Sequence, residues 1–233
     1  MFAYLDIETS SECNRKCPYC PVSTGNREGV RKFMPEQTFT AIVSELAANS
    51  YTGVVNLNLY NEPMLDPRLP GFIRLLSREV PGCRPHLYTN GDYLRAGTIQ
   101  ELFEAGLYSM KITDHNPTPN TRLISLVAGT PYRVTLARFA QGKDILHNRG
   151  GALNNEWTQG KAVCWPKAGN RCYVNYEGKV LGCCDDYFAA EPFGQVPGQK
   201  LMDIWNGSSF TAFRDGLKVG QHALKVCEGC NAR

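Results

Sequence analysis

Cys13-Asn14-Arg15-Lys16-Cys17-Pro18-Tyr19-Cys20 sets three cysteines in a C-x3-C-x2-C array directly after an apolar, strand-like run, Phe2 to Ile7. Three thiolates on so short a loop can converge on one metal centre, and soft sulfur ligands suit an iron–sulfur cluster or zinc. Structural zinc takes a tetrahedral set with its fourth ligand close by. Here the next cysteine is Cys83, and His86, His115, His147 and His222 lie far downstream. A set of three therefore points to a four-iron cluster with one iron open to another ligand. The alternative, three unrelated buried cysteines, fits this density poorly.

Working outward, 233 residues suit one medium domain, or one domain with a small appendage. A net charge of +3 with no Lys/Arg block argues against a nucleic-acid partner. The opening residues lack the charged segment of a signal peptide, and no apolar run is long enough to cross a membrane. Ten cysteines without a secretion signal read as reduced metal ligands. The expectation is a cytoplasmic metalloprotein.

Strand and helix patterns alternate from there. Phe2–Thr9 reads as a strand, and Pro35 opens a helix carrying Phe39, Ile42, Val43 and Leu46. Residues 53–60 alternate apolar and polar as a second strand. A helix over Pro67–Val80, a strand over Pro85–Thr89 stopped by Asn90-Gly91, a helix over Thr98–Ala105 and a strand over Tyr108–Thr113 follow. Thr121–Val127 reads as helix and Tyr132–Arg138 as strand. Such a rhythm implies parallel βαβ units, too few to close an eight-fold barrel. The predicted fold is therefore α/β: a partial, open β/α barrel over residues 1–150 and a small cysteine-rich unit over 151–233. In that second unit Cys172–Tyr176 and Lys179–Cys184 form a hairpin across Glu177-Gly178, and Met202–Lys218 carries a helix.

C-x3-C-x2-C with an aromatic residue before the last cysteine resembles the signature of radical S-adenosylmethionine (radical SAM) enzymes. The resemblance implies that Cys13, Cys17 and Cys20 hold a [4Fe-4S] cluster whose open iron chelates S-adenosylmethionine (SAM), from which a 5′-deoxyadenosyl radical forms. Tyr60-Asn61-Glu62-Pro63 resembles the family's Gly-Glu-Pro element, with Asn61 in place of glycine. Glu62 is then expected on the methionine ammonium, a carboxylate–amine pairing that is sound on its own terms. Tyr88-Thr89-Asn90-Gly91 resembles another recurring segment, placing Thr89 and Asn90 on the cofactor and Tyr19 near its adenine.

Cys164, Gly178 and Cys183 resemble the start of the family's SPASM extension, and Cys227-Glu-Gly-Cys230 supplies a C-x2-C pair. This matches the shortened "twitch" form, in which Cys164, Cys183, Cys227 and Cys230 hold one auxiliary [4Fe-4S] cluster. Structural zinc on the same four residues is the alternative. Cys83 and Cys172 read as incidental or packed. Cys184 directly follows a predicted ligand, and strand neighbours point to opposite faces. It is therefore expected to face the cavity as a neutral thiol able to donate a hydrogen atom, with the two adjacent thiols able to exchange roles.

Within the family the chain is similar to twitch enzymes of aminoglycoside biosynthesis. By that resemblance Arg149, in Asn148-Arg149-Gly150-Gly151, contacts the reacting hydroxyl. Cys184, standing where a dehydrogenase would carry phenylalanine, points to an epimerase of the kind found in hygromycin B biosynthesis. The expectation is inversion of a carbinol carbon of an aminoglycoside or aminocyclitol intermediate, with Cys184 returning hydrogen and flavodoxin or ferredoxin as electron donor. Asp114, Asp185 and Asp186 are weaker candidates for binding substrate ammonium groups. Two alternatives remain: a radical SAM dehydrogenase making a ketone from an aminocyclitol alcohol, and a non-catalytic zinc-binding protein.

Overall fold

A computed structural model describes residues 1–25, 31–139, 148–154, 164 and 169–230. Five strands, β1 (Tyr4–Ile7), β2 (Val54–Asn56), β3 (Arg84–Thr89), β4 (Ser109–Asp114) and β5 (Val134–Arg138), alternate with α1 (Glu36–Ala48), α2 (Leu69–Glu79), α3 (Ala96–Glu104) and α4 (Thr121–Ala128). They pair in parallel from β1 to β5. Beyond residue 150 come β6 (Arg171–Val174), β7 (Lys179–Leu181), β8 (Gly194–Gln195), α5 (Leu201–Asn206), α6 (Ser208–Lys218) and α7 (Lys225–Glu228). The described strands form one open sheet in the order β5-β4-β3-β2-β1-β6-β7-β8. This is the expected α/β architecture, an open β/α barrel with a small C-terminal unit.

Period-two alternation divides the sheet into two faces. Leu5, Ile7, Val55, Leu57, Leu87, Met110 and Ile112 form one fully buried core with Phe39, Ile42 and Leu46 of α1, Ile73 and Leu76 of α2, and Leu102 of α3. The register lines up Asp6, Asn56, His86 and Ser109 as a polar row on the opposite face. Parallel sheets usually bury apolar side chains on both faces. Here the helices cover one face, and the polar face is the inside of the open barrel.

The sheet continues across residue 150 because β6 pairs in parallel with β1, Leu5 beside Cys172. The expected hairpin forms between β6 and β7. Its turn needs Gly178, at φ +83°, where a Cβ would stand 2.2 Å from the Val196 carbonyl oxygen. Two elements differ from the sequence expectation. The helix expected over Met202–Lys218 breaks into α5 and α6 at Gly207, which is extended at ψ 151°. A Gly-Ser-Ser run has weak helix propensity, and the broken end is held by Arg214 Nη1 donating to the Trp205 carbonyl at 2.7 Å. β2 stops at Asn56 rather than Tyr60, because Asn58 and Asn61 accept bonds from the Tyr88 and Leu59 amides through their side chains. Such local side-chain acceptors compete with a strand ladder.

Candidate active site and metal centres

The cysteine loop leaves the C-terminal end of β1, and the loops after β2, β3 and β4 rise beside it. Cys13, Cys17 and Cys20 line one cavity with Glu62, His115 and Arg149. Burial, then the charge of Glu62 and of the other two thiols, pushes the Cys13 thiol up to about 12. A thiol held so high stays protonated unless a cationic centre binds it, since metal ligation deprotonates a thiol outright. Three thiols lining one cavity are a donor set that fits a cluster.

Glu62 stands at the middle of this wall and is almost fully buried. Its carboxylate accepts from Thr89 Oγ1 at 2.6 Å, the Asn90 amide at 2.9 Å and the Met64 amide at 3.2 Å. Burial raises its pKa while these three donors pull the other way. Thr89 and Asn90, expected on the cofactor, are thus committed at least partly to Glu62. The Asn90 amide group also donates to Asn14 Oδ1 at 2.8 Å, tying β3 to the cysteine loop. Tyr19 directs its hydroxyl at His115 Nδ1, 2.6 Å away, and packs its ring at a tilt against Phe139 with centroids 4.0 Å apart.

The sequence reading passed over Asn14, Arg15, Asp92 and His115 here. Arg15, inside the cysteine loop, grips Asp92 with Nε and Nη2 at 2.7 and 2.6 Å, and this hydrogen-bonded pairing lowers the Asp92 pKa. Asn14 adds a bond to the same carboxylate at 2.7 Å. His115 closes the β4 side of the cavity, its pKa lowered by burial and then by Arg15. Arg15 and Asp92 were visible as opposite charges beside two candidate segments, but only the fold shows that they meet. Of the acidic candidates, Asp114 caps its own loop through Asn116 and Asn120, and Asp186 accepts from the Ala190 amide.

On the other side of the cavity, Arg149 sits 3.4 Å from Asp185 Oδ1. Tyr60 donates its hydroxyl to the Cys184 carbonyl. The Cys183 and Cys184 thiols and the Asp185 carboxylate lie within 4.8 Å of one another. A hydrogen bond that the Cys183 thiol donates to Cys184, and then burial, drive the Cys183 pKa upward. The Cys164 pKa is raised by burial, then by the charges of Cys230, Cys227, Asp185 and Cys184. The separation of Cys183 and Cys184 onto opposite strand faces is corrected. β7 ends at Leu181 and the two cysteines occupy a turn, with the Asp186 amide bonding the Cys183 carbonyl. Without strand geometry the alternation rule does not apply. Cys172, by contrast, is buried in the core as expected.

Residues 7–133 match the family model of the radical SAM superfamily, and residues 164–231 match SPASM, an iron–sulfur cluster-binding domain. The chain belongs to the radical SAM superfamily. A radical SAM enzyme binds SAM and a [4Fe-4S] cluster, and the SPASM match indicates an auxiliary iron–sulfur cluster. Membership sets aside the zinc-binding reading. Among curated proteins the chain is similar to the S-adenosyl-L-methionine-dependent 2-deoxy-scyllo-inosamine dehydrogenase of Niallia circulans, 29% identical and covering 99% of this chain and 93% of that one. Among solved structures it resembles BtrN in complex with AdoMet and 2-DOIA, with a TM-score of 0.87 and 28% identity over 99% of this chain and 93% of that one. BtrN in an open conformation matches with a TM-score of 0.75 at 25% identity, covering 99% and 92%.

These relatives overturn the expected epimerase. A full-length relative of this radical SAM chain is a dehydrogenase, and nothing found supports a specific tie to the hygromycin B enzyme. The inference had rested on one residue, Cys184, and on a strand geometry that the turn does not provide. No helix among the described residues is long and apolar enough to cross a membrane.

Proposed function

We propose that this radical SAM enzyme is a dehydrogenase that oxidises a secondary alcohol of an aminocyclitol to a ketone. The observation that carries this reading is the end-to-end similarity to a 2-deoxy-scyllo-inosamine dehydrogenase, at 29% identity with 93% of that protein covered. In this reading Cys13, Cys17 and Cys20 hold the SAM-binding cluster, and Cys164, Cys227, Cys230 and one thiol of the Cys183–Cys184 pair hold the auxiliary one. Glu62 binds the methionine ammonium, positioned by Thr89 and Asn90, and Tyr19 with His115 borders the adenine. Arg149 binds and orients the reacting hydroxyl. When bound, these groups supply a 5′-deoxyadenosyl radical to take the carbinol hydrogen and an acceptor for the second electron; the hydroxyl proton leaves to solvent or a site base. Flavodoxin or ferredoxin serves as electron donor, and the enzyme works in the reducing cytoplasm. The boundary near residue 150 separates the radical-generating barrel from the twitch unit.

The test is anaerobic incubation of the reconstituted enzyme with SAM, reductant and 2-deoxy-scyllo-inosamine in deuterium oxide. Ketone formed in step with 5′-deoxyadenosine is the expected result. A product at the substrate's own oxidation level, carrying solvent deuterium at an inverted carbon, would overturn it.

A further inference from the structure

The turn that carries Arg149 is left-handed over three residues in a row, with φ of +52° at Arg149, +65° at Gly150 and +84° at Gly151. A side chain longer than hydrogen is strained there, so something must hold Arg149 in place. The contacts behind it are specific. Asn148 Nδ2 donates to the Gly229 carbonyl at 2.6 Å. A methyl group on Gly151 would sit 3.3 Å from Gly229 Cα, and one on Gly150 only 2.2 Å from Val226 Cγ2 and 3.1 Å from the Asp185 carbonyl oxygen. Val226 directly precedes Cys227, and Gly229 lies inside the Cys227-Glu-Gly-Cys230 segment. The turn closes on itself through the Gly151 and Leu153 amides, both bonded to the Asn148 carbonyl at 3.2 and 3.0 Å. Its front presents Arg149 to the cavity that also contains Cys13, Cys17 and Cys20. There the arginine is largely buried, and its Nε makes no hydrogen bond among the described residues.

We infer that Asn148, Gly150, Gly151 and Gly229 are positioning residues that lock Arg149 onto the auxiliary-cluster segment, so that this segment sets the substrate-binding arginine as well as its own ligands. The back of the turn is packed backbone to backbone against the C-x2-C loop, and its front is the Arg149 side chain, whose Nη1 lies 3.4 Å from Asp185 Oδ1. Displacing Cys227 or Cys230 moves Gly229, Gly229 moves Asn148, and the strained turn relaxes away from the cavity. The substrate assignment rests on the dehydrogenase reading; the mechanical coupling does not.

Two measurements on anaerobically reconstituted enzyme keep the two apart. Hydrogen exchange of the 148–153 peptide needs no substrate. Asn148→Ala and Gly229→Ala are expected to speed exchange at Gly151 and Leu153 while iron content and SAM affinity stay at the wild-type level. Equilibrium binding of 2-deoxy-scyllo-inosamine to the SAM-loaded enzyme should weaken about fivefold in Asn148→Ala, the cost of one hydrogen bond. That loss should vanish in an Arg149→Met background, because the effect passes through Arg149. Unchanged exchange in both variants, loss of cluster iron, or an equal loss of affinity in the Arg149→Met background would each overturn the inference. If the wild-type enzyme binds the amine but makes no ketone, the dehydrogenase reading fails and the coupling stands.

Discussion

Glu62→Gln tests the proposed assignment of Glu62 to the methionine ammonium of SAM. The substitution keeps shape and removes charge, and the structure fixes what an amide would meet. If Oε1 keeps its bonds to Thr89 Oγ1 and the Met64 amide, the new NH2 faces the Asn90 amide at 2.9 Å, donor against donor. Turned over, the NH2 can donate to the Thr89 hydroxyl, but the Met64 amide then loses its acceptor. Either way one buried N–H is stranded, which costs about 1–3 kcal/mol of local stability. The larger loss is the carboxylate itself. A hydrogen bond to a charged group contributes about 1.5–3 kcal/mol, so SAM affinity should fall by about 10- to 150-fold. The assay is equilibrium binding of SAM to anaerobically reconstituted protein, with iron counted on the same sample. A Glu62→Gln enzyme with full iron and SAM affinity within a factor of about three of wild type would refute the assignment of Glu62 to the ammonium.

Other expectations follow from the same geometry. Burial, only partly offset by Arg171 and Asn56, raises the Asp6 pKa from 3.8 to about 6. The folded state therefore holds its proton more tightly than the unfolded state, and this group's contribution to stability falls as pH rises through that window. Between pH 5 and 7.5 wild type should lose about 1.4 kcal/mol relative to Asp6→Asn in urea unfolding; parallel pH profiles would show that Asp6 titrates normally. Arg15 and Asp92 lie only about a quarter exposed and pair through two short bonds. A double-mutant cycle with Arg15→Met and Asp92→Asn, read as thermal stability of the reconstituted enzyme, should give a coupling of about 1 kcal/mol. Additive effects would mean that the pair does not latch the cysteine loop to β3.

Much of this was legible in the chain. The strand–helix rhythm fixed an open parallel barrel because each element carried its own period, and the C-x3-C-x2-C spacing pointed to iron–sulfur chemistry because three thiols on one short loop can converge; the auxiliary cluster came from a family resemblance rather than from spacing. Long-range polar pairings were not legible. Arg15 with Asp92, Tyr19 with His115 and Asn148 with Gly229 join residues 77, 96 and 81 positions apart, and no local pattern distinguishes such partners from solvated side chains. The Cys183–Cys184 error had a different origin. A period-two argument was applied two residues beyond the end of β7, where a turn brings adjacent thiols together instead of separating them.

The alternation of Leu5 and Ile7 with Asp6 and Glu8 shows how one strand serves two purposes. Read as an apolar run, β1 is a buried strand interrupted by Asp6 and followed at once by Glu8. Read with period two, it is a strand whose apolar half joins the core and whose acidic half enters the barrel. Burying Asp6 and Glu8 opposes folding, and a sheet buried on both faces would select against them. They are tolerated here because Leu5, Ile7, Val55 and Leu57, each with essentially no exposed surface, anchor the opposite face against the helices. Stability and chemistry thus rest on alternate residues of the same strands. Substitutions on the inner face can change what the barrel binds while the core that holds the cysteine loop stays packed.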